Sequence, residues 1–232
     1  MKLSFVIPAW NEEDLIGETI TTIQRSASKF EYEIVVADDA SDDNTAEISK
    51  QLGAVVVSCN NRQIGLTRND GAKVATGSIL IFVDADTLVS EDVINETIEA
   101  VENGVIAGGS FPVFEGNINI SARILTPVIR TAFYMLRLAA GAYLFCTMES
   151  FIKSGGFDPK FFAAEEVHLV KKLRRFGKFK TLKTRVVTSG RKFRTHSSME
   201  ILSTLILVSI PGIRNIKKRK NLWYGPRKKE QD

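Results

Sequence analysis

Cysteine is scarce in this sequence. Its 232 residues hold two, Cys59 and Cys146, far apart and in no metal-ligand spacing. That argues against a disulfide framework and suits free thiols in a reducing compartment. Long apolar runs are lacking too, since none reaches the roughly 20 residues that span a bilayer. There is no internal repeat and no low-complexity linker. Met1-Lys2 leads straight into a strand pattern. The apolar core and small-residue cleavage site of a signal peptide are missing, so a cytoplasmic location is expected. Neither G-x-G-x-x-G nor G-x-x-x-x-G-K-[ST] follows that first strand, which leaves dinucleotide and P-loop chemistry without a phosphate cradle.

What is present is ordinary in amount: 44% hydrophobic residues, 25% charged, and a formal net charge of +4. This is the composition of a soluble globular chain, long enough for one large α/β domain or two small ones. The arrangement says more. Ile79 to Val83 run without a polar break, as in a strand buried on both faces in the middle of a parallel sheet. The chain then switches to Asp84-Ala85-Asp86. In an extended segment, residues two apart point the same way. The two carboxylates are therefore expected to project together beyond a central strand, where open α/β sheets bind ligands. Two close carboxylates repel unless a cation lies between them, and a hard divalent metal meets that need. A turn or helix cap is the plainer reading of a lone Asp-x-Asp. The strand in front of it favours the ligand site.

Strands and helices alternate from the start. Leu3 to Ile7 reads as a strand ended by Pro8. Asn11-Glu12-Glu13-Asp14 then supplies a cap and first-turn acids for a helix bearing Leu15, Ile16, Ile20 and Ile23. Tyr32 to Ala37 is a second strand, closed by Asp38-Asp39. Ser41 to Asn44 caps a helix with Ala46, Ile48 and Leu52 inward. Ala54 to Val57 is a third strand and Gly65 to Ala75 a short helix. This alternation predicts a doubly wound parallel sheet. Further on, the pattern gives a helix from Glu91 to Asn103. A strand follows from Val105 to Phe111, where Gly108-Gly109 permits close backbone approach. Then come a short strand over Tyr143 to Thr147, a helix to Ser154, a helix from Glu165 to Phe176 and a strand from Phe179 to Thr188.

Val6-Ile7-Pro8-Ala9-Trp10-Asn11-Glu12-Glu13, Val35-Val36-Ala37-Asp38-Asp39-Ala40-Ser41 and Phe82-Val83-Asp84-Ala85-Asp86 resemble blocks of the family 2 glycosyltransferases. Gly65-Leu66-Thr67-Arg68-Asn69 and Gly71-Ala72 match as well. Gly155-Gly156-Phe157-Asp158 with Glu165-Glu166 is similar to the family's GGFDE…ED segment. Each block is weak alone, but they stand in the family's order over residues 3 to 190. The resemblance implies a GT-A α/β fold, a three-layer α/β/α sandwich with a mostly parallel central sheet. It also implies inverting transfer of a sugar from a nucleotide-diphosphate donor to an acceptor hydroxyl, helped by a divalent metal, Mg2+ or Mn2+.

Carried over residue by residue, the resemblance puts Pro8, Ala9 and Glu12 in the nucleotide pocket, and Asp38 and Asp39 against base and ribose. Arg68 approaches the donor. Asp84 and Asp86 hold the metal on the diphosphate, with Asp86 the more direct ligand. A diphosphate leaving group gains from a Lewis acid, which agrees. The general base is an acid of the pair opening the helix after the GGFD loop: Glu166 first, standing where the family has Asp, and Glu165 second. His196 resembles the late histidine that completes the metal site in some GT-A enzymes. Arg191 and Arg194 sit in a basic loop whose forks suit phosphate. His168 stands where the family often has Asp, a departure. Without the resemblance, Pro8 and Glu12 read as a strand end and helix start, Asp38 as a cap, and Glu165-Glu166 as acids suited to a helix N-terminus.

Two stretches bear on partners. Arg123, Arg130 and Arg137 share one helix face amid Ile124, Leu125, Val128, Ile129 and Phe133. Such a helix fits a membrane interface, and equally a core helix with one solvated side. Ile201 to Ile213 is apolar nearly all round, and Arg214, Lys217, Lys218, Arg219, Lys220, Arg227, Lys228 and Lys229 follow. That is a two-part anchor for an anionic surface, or a packed helix with a solvated tail. The expected organisation is a GT-A glycosyltransferase domain over 1–196, then an apolar helix and basic tail over 197–232. The expected partners are a nucleotide-diphospho-sugar, a lipid-linked or envelope-glycan acceptor, and an anionic membrane surface at the inner face of the cell membrane. Nucleic acid is disfavoured because the basic cluster is terminal, not groove-lining. Two other functions stay open. One is a degenerate GT-A domain that binds only nucleotide or a partner, against which the intact Asp-x-Asp speaks. The other is a sugar-1-phosphate nucleotidyltransferase, whose Gly-rich activating loop is missing.

Overall fold

The computed structural model describes residues 1–115, 141–162 and 165–189. Its centre is a parallel unit of β1 (Leu3–Ala9), β2 (Tyr32–Asp38), β3 (Val55–Ser58) and β4 (Ile79–Val83), in the spatial order β3-β2-β1-β4. The connections are α1 (Ile16–Ser26), α2 (Thr45–Gln51) and α3 (Ile64–Val74). Then follow β5 (Thr87–Leu88), α4 (Glu91–Glu102), β6 (Val105–Gly109), β7 (Pro112–Glu115), β8 (Tyr143–Thr147) and α5 (Met148–Ser154). The last described elements are α6 (Glu165–Leu173), β9 (Lys178–Thr181) and β10 (Val186–Ser189).

β1 and β4 are buried along their whole length. Alternation along the strand assigns each side chain to a face. Leu3, Phe5 and Ile7 of β1 join Ile79, Ile81 and Val83 of β4, under Ile16, Ile20 and Ile23 of α1 and Val93 and Ile94 of α4. Val6, Leu80 and Phe82 face the other way, against Ala72 of α3, Phe151 of α5, and Leu169, Val170 and Leu173 of α6. Helices thus cover both faces, the condition under which parallel strands read as unbroken apolar runs.

The expectation of a doubly wound parallel sheet holds for one half. In the other half β8 runs antiparallel between β4 and β6, and β9 pairs parallel with β6. The described residues form a seven-stranded sheet ordered β3-β2-β1-β4-β8-β6-β9, and a second sheet ordered β5-β10-β7 that sequence analysis did not foresee. The strand expected from Phe179 to Thr188 is broken: β9 stays in the large sheet and β10 belongs to the small one. Glu96 holds the corner, accepting from the backbone N–H of Lys183 at 3.1 Å and of Thr184 at 2.9 Å. The strand expected from Val105 to Phe111 divides in the same way after Gly109. The Ser110 hydroxyl there donates to the Thr184 carbonyl at 2.7 Å, so both chains turn together.

Gly108 earns its place by close approach. A Cβ there would lie 2.2 Å from the Lys180 carbonyl oxygen and 2.5 Å from the Phe145 ring. Helix starts differ from expectation as well. α1 begins at Ile16 without a side-chain cap, and α2 at Thr45 with Asn44 making no capping bond. The fully buried positions of α2 are Thr45 and Ser49, while Ile48 and Leu52 pack only partly against the core. α6 stops at Leu173, and a turn closes it with the Phe176 N–H on the Leu173 carbonyl. The stripe of Arg123, Arg130 and Arg137, and the whole of 197–232, lie outside the described residues. Among the described residues no helix is long and apolar enough to cross a membrane.

Candidate active site

The switch point of the sheet lies between β1 and β4, and acidic loops leave the carboxyl ends of β1, β2 and β4 there. The residues expected to cap α1 and α2 lock these loops to each other, and of them Asp43 also accepts the Thr45 N–H at the start of α2 at 3.0 Å. The Asn11 N–H donates to Ser41 Oγ at 2.9 Å, and the Asp42 N–H donates to Asn11 Oδ1 at 2.8 Å. The Glu12 N–H reaches Thr45 Oγ1 at 2.8 Å, and the Glu13 N–H reaches Asp43 Oδ2 at 3.1 Å. Each of three successive loops holds one non-glycine residue in the left-handed region: Asn11 (φ 51°), Ala40 (φ 57°) and Arg62 (φ 50°). Such residues cost on the order of 1–3 kcal/mol each and persist where their surroundings fix them.

Pro8 and Ala9 are buried at the end of β1, and Glu12 is buried in the loop after it. Asp38 and Asp39 are both buried, yet they differ in commitment. Asp39 Oδ1 accepts from the Asn61 N–H at 2.6 Å and Oδ2 from Thr67 Oγ1 at 3.1 Å, which ties β2 to α3. Among the described residues the Asp38 carboxylate takes one bond, from Ser41 Oγ to its Oδ1. The Arg62 guanidinium lies 4.6 Å over the Trp10 ring, joining the loops after β3 and β1. Nothing in the sequence pairs those two positions. Burial first, then Asp70 and Asp39, push the neighbouring Cys59 thiol up to about 12, so it stays protonated.

Asp84-Ala85-Asp86 is a turn and not the extended continuation of β4 that was expected. The Thr87 N–H closes it on the Asp84 carbonyl at 3.1 Å. A buried hydroxyl of α1 holds the tip, with Thr19 Oγ1 donating to the Ala85 carbonyl at 2.8 Å. The two carboxylates have different partners. Asp86 Oδ1 accepts from Thr188 Oγ1 of β10 at 3.0 Å, a residue sequence analysis missed. Asp84 Oδ1 accepts from Arg68 Nη2 at 2.8 Å.

Arg68 is only 2% exposed. Its Nη1 donates to Glu165 Oε1 at 2.7 Å and its Nη2 also reaches the Gly141 carbonyl at 3.3 Å. The guanidinium lies 5.4 Å from the Phe157 ring centre. The next residue grips the same loop: Asn69 Nδ2 donates to the Phe157 carbonyl at 2.8 Å and Asn69 Oδ1 accepts the Phe157 N–H at 3.0 Å. That fit needs Gly156, whose φ is +65° and whose added Cβ would lie 2.7 Å from Asn69 Oδ1. Burial alone would lower the Arg68 pKa, but Asp84, Glu165 and Glu166 outweigh it and raise it. Burial and then the Glu166 carboxylate push the Glu165 pKa up from the ordinary carboxylate range, with the Arg68 guanidinium pulling it the other way. Glu165 is 5% exposed, whereas Glu166 is only half-buried. His168 stacks on Phe161 and so braces α6 against the segment after the GGFD loop. Arg191, Arg194 and His196 lie outside the described residues.

No group of three or more His, Cys, Asp or Glu side chains among the described residues is placed to hold a metal. The donor chemistry nevertheless fits a hard divalent cation. Asp84 and Asp86 each commit one oxygen to a protein donor, and a site with few protein carboxylates is the kind that such a cation completes with substrate phosphates and water.

Acids at the switch point of a β3-β2-β1-β4 sheet, facing a second acid pair on α6, define a GT-A type α/β domain. The chain belongs to the family described as Glycosyl transferase family 2, which matches residues 4–157. It is 36% identical over 124 residues to dolichol-phosphate mannosyltransferase of Pyrococcus furiosus, covering 51% of this chain and 35% of that protein. It is 36% identical over 100 residues to poly(ribitol-phosphate) beta-glucosyltransferase of Bacillus spizizenii, covering 40% of this chain and 16% of that protein. This chain thus spans well under half the length of either relative. Among solved structures it resembles Staphylococcus aureus TarS in complex with UDP-GlcNAc (TM-score 0.65, 19% identity, 95% of this chain and 70% of that one). It also resembles the mannosyltransferase PcManGT of Pyrobaculum calidifontis in complex with GDP-Man and Mn2+ (TM-score 0.63, 21% identity, 88% and 64%).

Proposed function

We propose that the protein transfers a sugar, with inversion, from a nucleotide-diphosphate donor to an acceptor hydroxyl. The observation that carries this is the joining of two acidic sets at one switch point: Asp84 and Asp86 after β4, and Glu165 and Glu166 opening α6, with Arg68 between them. Donor-bound neighbours of the same fold and glycosyltransferase relatives support the reading. In it, Pro8, Ala9, Glu12, Asp38 and Asp39 shape the nucleoside pocket. Asp38 keeps acceptor capacity for base or ribose, and Asp39 fixes the wall. Asp86, with Asp84, would hold Mg2+ or Mn2+, which supplies Lewis acidity to the leaving diphosphate. Glu166 takes the acceptor proton as its oxygen attacks the anomeric carbon and the bond to the nucleotide diphosphate breaks. Glu165 is spent on Arg68. The relatives' names favour an acceptor that is lipid-linked or an envelope polymer. Arg191, Arg194 and His196 are kept as phosphate and metal candidates, and 197–232 as a membrane-facing appendage to a domain over 1–196.

The test is release of free nucleotide diphosphate from a panel of UDP- and GDP-sugars, with and without Mn2+ and candidate acceptors. Acceptor-dependent release from one donor is expected, and Asp86→Ala is expected to remove the metal dependence of nucleotide binding. Binding without release from every donor and acceptor would favour the degenerate, binding-only domain.

A further inference from the structure

Arg68 is fully buried, and among the described residues its hydrogen bonds come only from its outer nitrogens. Nη1 serves Glu165, Nη2 serves Asp84 and the Gly141 carbonyl, and the buried Nε finds no partner among the described residues. A planar fork anchored this way keeps its orientation only while both acids are present. The two acids belong to different parts of the chain. Asp84 ends the parallel half, and Glu165 lies 97 positions from Arg68 in the first turn of α6. Phe157 flanks the guanidinium and Asn69, the next residue of α3, fixes Phe157 by two backbone bonds. Glu165 adjoins Glu166, so whatever seats Glu165 seats Glu166.

We infer that Arg68 is a positioning residue that couples the two halves of the site, fixing Asp84 on the donor side and, through Glu165, the first turn of α6 on the acceptor side. This rests on the donor and base assignments proposed above. The consequence is action at a distance: Glu165 does not touch the donor in that reading, yet its loss loosens the fork that holds Asp84 and weakens donor binding.

The experiment is a double-mutant cycle in the full chain, read by UDP and GDP titration calorimetry with Mn2+ and by the unfolding equilibrium without nucleotide. Glu165→Ala is expected to weaken nucleotide binding by roughly fivefold or more. Glu165→Gln, which keeps an oxygen for Nη1, should restore most of the loss. In an Asp84→Asn background Glu165→Ala should change affinity by less than about twofold, because the path is already cut. Exposed Glu149→Gln on α5 serves as the control. If Glu165→Ala does not fold, Glu165→Gln and Asp84→Asn complete the cycle. Their effects on the unfolding constant should be non-additive by about threefold or more, and additive once Arg68→Lys removes the fork. Unchanged nucleotide affinity in folded Glu165→Ala, a loss undiminished by Asp84→Asn, or an additive stability cycle overturns the inference. Wild-type protein that binds nucleotide but transfers no sugar sinks the proposed function and with it the acceptor-side meaning of α6, while the coupling of Glu165 to Asp84 through Arg68 is still decided by the affinity cycle. If wild type binds no nucleotide, the stability cycle decides.

Discussion

Glu165 and Glu166 differ by one position and by everything that position entails. Glu165 points into the protein and meets a guanidinium at 2.7 Å, while Glu166 stays half-buried on the same turn. A general base must reach an acceptor hydroxyl, so the reachable carboxylate is the candidate. Glu166→Gln is therefore expected to keep nucleotide affinity and lose transfer by about 10²-fold or more, measured as turnover beside calorimetric affinity. Equal turnover in Glu166→Gln and wild type would remove Glu166 from the chemistry. Glu33 gives a prediction of another kind, near the amino end of β2 and so at the opposite end of the strands from the site. Burial would raise its pKa, but bonds from Lys2, Ser4 and Thr76 hold it down at about 2, against an ordinary 4.5. A carboxylate lowered on folding adds stability that is present above its unfolded pKa and lost as pH falls toward the folded one. Glu33→Gln should accordingly lower the melting temperature at pH 7, with the difference shrinking below pH 4.5 and gone near pH 2. A difference that stays constant across that window would refute the assignment.

At the scale of elements, the site depends on contacts between segments that are remote in sequence. α1 reaches the Asp-x-Asp turn through Thr19, 66 positions away. Thr19→Val keeps the shape and leaves the Ala85 carbonyl without its donor, a loss of about 1–3 kcal/mol for a buried acceptor. It should lower stability by that amount in chemical denaturation and weaken metal-dependent nucleotide binding with it. Unaltered stability would mean that water replaces the hydroxyl. β6 makes its own demand. Gly108→Ala would press a methyl into both the Lys180 carbonyl and the Phe145 ring, so a clear fall in melting temperature is expected. The glycine pair was legible in the sequence as a place of close approach. Which strand approached it was not, because β9 is contributed from far down the chain.

For the whole molecule, the described residues form the GT-A unit, and the basic tail and the arginine stripe lie beyond them. If 197–232 anchors the protein to an anionic surface, the full chain should sediment with anionic vesicles at low salt and release as salt screens the charge over about 8–10 Å. A chain ending at residue 196 should keep a cooperative melting transition and lose that sedimentation. Equal sedimentation of both would assign the contact to another part of the protein.

The order of strands and helices in the parallel half follows from the sequence alone. So do the burial of β4 and the gathering of acids at strand ends, because period and run length report directly on local geometry and burial. The sequence also placed Glu165-Glu166 at a helix start, where the structure has them. What only the tertiary structure decided is pairing. It set β8 antiparallel beside β4, split two expected strands between two sheets, folded Asp84 to Asp86 into a turn, and gave Arg68 to Glu165 across 97 positions. A local pattern fixes which face of an element is buried. It carries no record of which distant element will cover that face, and partners are chosen there.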